Sequence, residues 1–234
     1  MLRLLRIAVL VVLAAVSGCY AVQASSDYYG IDTALPGEGV LFVVDVSGSM
    51  EGKQEGTLAD HARGRAAEEA GQAVQNTVGG RVGRLLGGQV RGEATKLGVA
   101  KRELIPVIRG LDASTRFSVL TFGASTDFWR TSLVEASGSN KTLAMTHTNG
   151  LDANGGTPIR GALEAALATP GVTTVFLMTD GQPTDATPDD IVARTRTLNR
   201  GGVVIHTIGL GPDQDAAFLR ALASANGGVY VDRR

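Results

Sequence analysis

The segment from Val40 to Met50 constrains the fold more than any other part of the chain. It reads V-L-F-V-V-D-V-S-G-S-M. Its first five residues, Val40 to Val44, form an unbroken apolar run rich in β-branched side chains, and the run ends at Asp45. A short run of this kind, followed by Asp, Ser and Gly, predicts a strand that is buried on both faces of a parallel sheet.

Three oxygen-bearing side chains follow this predicted strand at alternate positions, namely Asp45, Ser47 and Ser49. Ligands of α/β proteins bind outside the carboxyl ends of the strands, which is where these side chains fall. Hydroxyl and carboxylate oxygens without nitrogen or sulfur favour a hard cation, Mg²⁺, Mn²⁺ or Ca²⁺. Taken alone, the pattern is equally consistent with a strand-to-helix turn in which Ser47 or Ser49 caps the next helix.

The composition of the chain fits one globular α/β domain. Its 234 residues, 44% hydrophobic and 19% charged, are enough for a substantial core. A net charge of −1 gives no electrostatic reason to expect nucleic acid as a partner. The three histidines, His61, His147 and His206, are scattered and form neither a Ser-His-Asp nor a histidine-metal pattern.

The N-terminal residues follow the order of an export signal, with positive charges first and an apolar run after them. Arg3 and Arg6 precede an apolar run from Ile7 to Val16. This run is shorter than the roughly 20 residues that a membrane-spanning helix needs. It ends in V-S-G-C, with the only cysteine of the chain at position 19. The segment resembles a bacterial lipoprotein signal, in which an aliphatic residue and two small residues precede a cysteine.

The resemblance implies that residues 1–18 are removed, that Cys19 is lipidated, and that residues 19–38 tether a folded domain to the bacterial cell envelope. Tyr20 is not the Asp that commonly marks retention in the inner membrane, so the outer membrane is favoured. The alternative is an ordinary secretory signal cut near Ala21 or Ala24, with Cys19 incidental.

Strand and helix patterns alternate through the rest of the chain. Strands are predicted near 116–122, 172–178, 203–208 and 229–231, with an edge strand near 129–134, and helices near 97–111, 159–168, 187–199 and 215–225. Pro106 is expected to kink the first helix or end it early. The order predicts right-handed crossovers and an α/β fold, with a doubly wound, mostly parallel central sheet flanked by helices.

The segment from Glu51 to Ala94 does not fit this alternation, because ten glycines fall within it. Each glycine in a helix interior costs roughly 1 kcal/mol relative to alanine. The segment therefore predicts either a marginal helical hairpin, broken near Gly79-Gly80, or a partly disordered insertion.

Two later segments add oxygen donors to the first. Thr157 lies in a Gly-Gly-Thr-Pro loop, and Asp180 follows the apolar run at 172–178. Alone, Thr157 is an expected N-cap of the following helix. In order and spacing, however, the three segments resemble the metal-ion-dependent adhesion site of the von Willebrand factor A-type domain family, and the resemblance covers residues 39–234.

The resemblance implies a role for each donor. Ser47, Ser49 and Thr157 would bind a divalent cation through their hydroxyls, and Asp45 and Asp180 would hold it mainly through bridging waters. The cation would be Mg²⁺, or else Mn²⁺ or Ca²⁺. In this family the remaining position commonly accepts an exposed Asp or Glu of a partner protein, so a protein-binding module rather than an enzyme is implied.

One departure from the family and two alternatives stay open. Family members usually pass from the serine loop into the first helix within a few residues, whereas 51–94 intervenes here. In one alternative Asp45 is the nucleophile of an Asp-x-Asp phosphatase, although Ser47 stands where that family needs its acid. In the other, the domain is a scaffold for envelope assembly whose metal only stiffens the loops. His147, Asn149 and Asn154 precede Thr157; they either border the site or are neutral loop residues, and the second interpretation is favoured.

Overall fold

The computed structural model of the chain describes residues 38–52 and 95–233, together with the backbone of two short strands, β1 (Asp27–Tyr28) and β2 (Ile31–Asp32). β1 and β2 pair antiparallel, with Asp27 opposite Asp32. The stretch interpreted as a tether therefore contains paired backbone. The predicted signal, Cys19 and most of the 51–94 segment lie outside the described residues.

A seven-stranded sheet forms the centre of the domain. Its strands are β3 (Gly39–Asp45), β4 (Arg116–Phe122), β5 (Thr126–Phe128), β6 (Val134–Glu135), β7 (Thr174–Thr179), β8 (Val204–Leu210) and β9 (Tyr230–Arg233). The order is β5-β4-β3-β7-β8-β9, and β6 also pairs with β4. β3, β4, β7, β8 and β9 are parallel, whereas β5 and β6 run antiparallel to β4. The predicted mostly parallel sheet is confirmed.

Helices cover both faces of this sheet. They are α1 (Lys96–Gly110), α2 (Gly138–Asn149), α3 (Ile159–Ala168), α4 (Pro188–Leu198) and α5 (Ala216–Ala225). α1 and α2 contribute to one apolar cluster, and α3, α4 and α5 contribute to the other. Among the described helices, none has both the length and the apolar character needed to cross a bilayer.

The central strand β3 is buried on both faces, as its sequence predicted. Val40, Phe42 and Val44 pack into the cluster that contains α1, while Leu41 and Val43 pack into the cluster that contains α3. Because the strand is apolar on both sides, its polar residues are confined to its carboxyl end. That end is the only part of β3 that can carry a polar site.

The early end of α1 expected at Pro106 is wrong, because the helix continues to Gly110, whereas the alternative of a kink stays a prediction. Proline lacks the N–H that would bond to the carbonyl four residues earlier, at Arg102. Both Pro106 and Arg102 are exposed and lie on the solvent face of the helix. The helix therefore tolerates a proline on its solvent face while its buried face packs on the sheet.

Two other expectations for the region after β4 need correction. The predicted edge strand at 129–134 is divided, since β5 ends at Phe128 and β6 begins at Val134. The indole of Trp129 stacks on Phe117 with ring centroids 5.5 Å apart. The prediction also missed α2, whose sequence G-S-N-K-T-L-A-M-T-H-T-N is polar and buries only Ala144 and Thr148. The expected loop residues at 147 and 149 thus lie in a helix.

Candidate metal centre

The predicted site residues meet at the carboxyl edge of the sheet. β3 and β7 are parallel neighbours, and Val44 pairs with Met178. The residues that follow these two, Asp45 on one strand and Thr179-Asp180 on the other, therefore emerge side by side. Two segments separated by more than a hundred residues in sequence thus form one polar rim.

Asp45 is fully buried, and both of its carboxylate oxygens accept hydrogen bonds. Oδ1 accepts from the backbone N–H of Ser47 at 2.8 Å, and Oδ2 accepts from the hydroxyl of Thr179 at 2.5 Å. Burial raises the pKa of Asp45 to about 6, although these hydrogen bonds lower it, and the carboxylate of Asp180 adds repulsion. An ionised carboxylate in this position favours a nearby cation.

The hydroxyls of Ser47 and Ser49 lie 3.1 Å apart at the start of a short 3-10 helix, Gly48–Glu51. Ser47 stands at the N-cap position of this helix, but its side chain makes no capping hydrogen bond. The next helix among the described residues, α1, is capped by the side chain of Thr95 instead. The capping interpretation of the serine pair is therefore wrong, and both hydroxyls are available for a ligand.

Thr157 is also not the N-cap that its sequence context suggested. α3 begins at Ile159 with Pro158 in the cap position and no side-chain cap. The carboxylate of Asp185 accepts from the backbone N–H groups of Arg160 and Gly161 and so serves the start of this helix. Thr157 is only 4% exposed, and its hydroxyl does not cap α3 and can therefore serve as a ligand in the site.

Hydrogen bonds donated by backbone N–H groups join the loops that carry these residues. The N–H of Thr157 donates to the hydroxyl of Thr184, and the N–H of Thr184 donates to the carbonyl of Thr157, each at 3.0 Å. The N–H of Gly48 donates to the carbonyl of Gly155 at 2.9 Å. Sequence reasoning missed Thr184, because the polar stretch after β7 signals only a turn. The three predicted segments are thus held as one unit.

Asp180 carries the clearest sign that a ligand belongs here. Its side chain is fully buried, and Oδ2 accepts from Nζ of Lys96 at 3.2 Å. Oδ1 is buried as well and has no hydrogen-bond partner. An unsatisfied buried polar atom costs about 1–3 kcal/mol, and more when it is charged. A buried oxygen of this kind is suited to bind an ion or an ordered water.

The donors fit a hard divalent cation. They are three hydroxyls and two carboxylates, which suit Mg²⁺, Mn²⁺ or Ca²⁺. Across residues 38–52 and 95–233, no three His, Cys, Asp or Glu side chains converge as they do in metalloenzymes. These five side chains are the candidate ligands predicted from the sequence, and the structure places Thr179, Thr184 and Lys96 beside them as supports.

We expect Thr179→Val to weaken Mn²⁺ binding by about 10-fold to 100-fold, as losses of outer-shell partners do. The hydroxyl of Thr179 donates to Asp45 and also accepts from the N–H of Gly181 at 3.0 Å. Valine keeps the shape of the side chain but leaves both partners unsatisfied, so the metal-free protein should lose about 1–3 kcal/mol. Calorimetric titration and urea unfolding measure the two effects.

Thr207→Val is the matched control. Thr207 is equally buried, on β8, and its hydroxyl donates to the carbonyl of Leu219, away from the site. This variant should lose stability and keep the wild-type affinity for Mn²⁺. Equal metal affinities in the two variants would show that Thr179 does not support the site.

Comparison with known proteins identifies the class. The family model for the von Willebrand factor type A domain matches residues 91–232. The chain therefore belongs to the von Willebrand factor A family, as the order of its polar segments indicated.

Relatives of known sequence or structure lie within the same family. Human inter-alpha-trypsin inhibitor heavy chain H4 is 31% identical over 211 residues, which cover 84% of this chain and 18% of that protein. Accordingly, the chain spans less than a fifth of the length of the curated relatives it matches.

Two solved structures share the fold. A von Willebrand factor type A protein from Catenulispora acidiphila superposes with a TM-score of 0.60 at 21% identity, covering 85% of this chain and 39% of that one. Proximal thread matrix protein 1 of the mussel byssus, whose structure was solved with zinc in its own metal-ion-dependent adhesion site, superposes with a TM-score of 0.53 at 19% identity, covering 86% of this chain and 43% of that one.

Proposed function

We propose that this chain is a metal-ion-dependent protein-binding module anchored to the bacterial cell envelope. The observation that carries the proposal is the buried, unpartnered Oδ1 of Asp180 at the rim that also holds Asp45 and the serine pair. Burying a carboxylate oxygen without a partner costs free energy, and a bound cation would offset that cost.

The five candidate residues would hold the cation in two ways, directly and through water. The hydroxyls of Ser47, Ser49 and Thr157 would be direct ligands, while Asp45 and Asp180 would orient waters. When bound, Mg²⁺, Mn²⁺ or Ca²⁺ supplies positive charge and an open position that attracts an Asp or Glu of a partner protein. The zinc in the mussel protein indicates that such a site also accepts other divalent ions.

We infer a binding role rather than catalysis from the surroundings of Asp45. A phosphoryl-accepting nucleophile needs an accessible oxygen, but Asp45 is 0% exposed and each oxygen already accepts a hydrogen bond. Ser47 occupies the place where an Asp-x-Asp phosphatase needs its general acid. Both features disfavour the phosphatase alternative.

The lipid anchor at Cys19 is the second part of the proposal. It rests on the V-S-G-C sequence and on the start of β3 at Gly39, which leaves residues 19–38 between the lipid and the domain. Each buried CH₂ of an acyl chain contributes about 0.8 kcal/mol to membrane attachment. Tyr20 favours the outer membrane.

Capture of a partner from envelope extract tests the function. Immobilised full-length protein should retain an envelope protein in Mg²⁺ and release it in EDTA, whereas Asp45→Asn should retain none under either condition. Capture that survives EDTA would assign the chain to the scaffold alternative. In cells that express the chain, the wild type should be found in the membrane fraction and the Cys19→Ala variant should not. A Cys19→Ala variant that stays in the membrane fraction would contradict the anchor.

A further inference from the structure

Lys96 is a buried cation beside the candidate metal site. It is the first residue of α1, and its side chain is 3% exposed. Its Nζ lies 3.2 Å from Oδ2 of Asp180 and 2.6 Å from Oδ1 of Asp213, whose side chain is 55% exposed. A buried ammonium is tolerated only when it is paired, and this one is paired with a predicted metal-site residue.

The position of Lys96 is fixed from two sides. Its backbone N–H donates to the carbonyl of Gly52 at 3.0 Å, directly after the serine loop. Its stem passes over Gly211, where φ is +86° and an added Cβ would lie 2.5 Å from Cε of Lys96. A side chain at 211 would displace the ammonium, so the backbone of that loop leaves room for it.

The contacts of Asp180 are divided between its two oxygens. Oδ2 faces the ammonium of Lys96, while Oδ1 is buried without a partner. Lys96 therefore fixes the rotation of the carboxylate and leaves Oδ1 for the site. It also offsets part of the negative charge that Asp45 and Asp180 bring, since the exposed carboxylate of Asp213 shares the same ammonium.

We propose that Lys96 is a positioning residue that keeps positive charge on the bound cation, so that it strengthens the capture of a carboxylate while weakening the binding of the metal. The proposal rests on the proposed function. With Asp45 and Asp180 alone, the charge of a divalent cation would be fully neutralised. Because Lys96 offsets Asp180, part of that charge remains for the carboxylate of a partner.

Lys96→Met tests this with Mn²⁺ and acetate as probes. The full chain in detergent is titrated with Mn²⁺ by calorimetry, with and without acetate at matched ionic strength. Loss of a unit charge this close should tighten Mn²⁺ binding about 10-fold and reduce the gain in affinity that acetate produces by a similar factor. A purely structural role for Lys96 would instead weaken Mn²⁺ binding.

Lys141→Met is the charge-matched control. Nζ of Lys141 donates to the carbonyls of Arg109 and Leu111 at the far end of α1, so both affinities should stay at wild-type values. If the wild type binds no Mn²⁺, the proposed function fails. If the wild type binds Mn²⁺ and Lys96→Met matches it with and without acetate, only the role of Lys96 fails.

Asp213→Asn is a second variant, for use if circular dichroism shows that Lys96→Met does not fold. It is expected to change both affinities in the opposite direction. It leaves the ammonium in place and removes the exposed carboxylate that partly offsets it. Mn²⁺ binding should weaken and the effect of acetate should grow, each by a few-fold. Unchanged values in this variant would overturn the proposal.

Discussion

Asp45→Asn is expected to abolish detectable binding of Mn²⁺ and Mg²⁺ while the fold remains intact. Asp45 is the last residue of the central strand β3. Its carboxylate accepts hydrogen bonds from the N–H of Ser47 in the serine loop and from the hydroxyl of Thr179 at the end of β7. Asparagine is nearly isosteric but removes the negative charge that a hard cation requires. Calorimetric titration with each metal is the direct measurement.

The same substitution should not destabilise the metal-free protein. Burial raises the pKa of Asp45 from 3.8 to about 6, so the folded state disfavours the ionised form. Replacing it with a neutral amide removes this cost, although asparagine offers one acceptor oxygen instead of two. We expect the free energy of unfolding without metal to stay equal or rise by about 1 kcal/mol.

The pH dependence follows from the direction of this shift. A carboxyl group whose pKa is raised by folding contributes most stability below its unfolded pKa and loses that contribution as the pH rises through its folded value. Metal binding needs the carboxylate, so it strengthens over the same range. Stabilisation of the wild type by Mn²⁺ should therefore grow between about pH 5 and pH 7, and it should be absent in Asp45→Asn.

The control for this prediction is Asp189→Asn. Asp189 is exposed in the first turn of α4. Its loss should leave Mn²⁺ affinity and its pH dependence at wild-type values. Wild-type metal binding in Asp45→Asn would contradict the assignment of the site.

The fold and the donors could be predicted because they depend on local patterns. An apolar run that ends in Asp defines both a buried strand and its polar end, as β3 shows with Asp45. Parallel pairing of β3 with β7 then brings Asp180 to the same edge without further information. The positions of Asp45 and Asp180 are thus consequences of strand composition and sheet topology.

The supporting residues could not be predicted, because their roles arise only in the folded chain. Lys96 looks like an ordinary helical lysine in the sequence, yet its ammonium is buried between two carboxylates. Thr184 looks like a turn residue, but it fixes the backbone of Thr157 from 27 positions away. Likewise, the exposure of Pro106 decides that α1 continues, and exposure depends on which face of the helix meets the sheet.

Gly155→Ala is expected to disrupt the site through the backbone alone. Gly155 has φ of +85°, and an added Cβ would lie 2.3 Å from the backbone nitrogen of Ala124. Neither the conformation nor the contact suits an L-residue, so the loop would have to move. We expect a loss of about 2–4 kcal/mol in the free energy of unfolding.

This movement should also weaken metal binding, because the carbonyl of Gly155 accepts from the N–H of Gly48 and Thr157 lies two residues further on. Displacing the loop moves Thr157, a candidate ligand, so Mn²⁺ affinity should fall at least about 10-fold. Gly201→Ala is the control, since no atom lies within 4 Å of a Cβ there. If Gly155→Ala kept wild-type affinity, Thr157 would have to be removed from the ligand set, because a donor displaced with its loop cannot hold the cation unchanged.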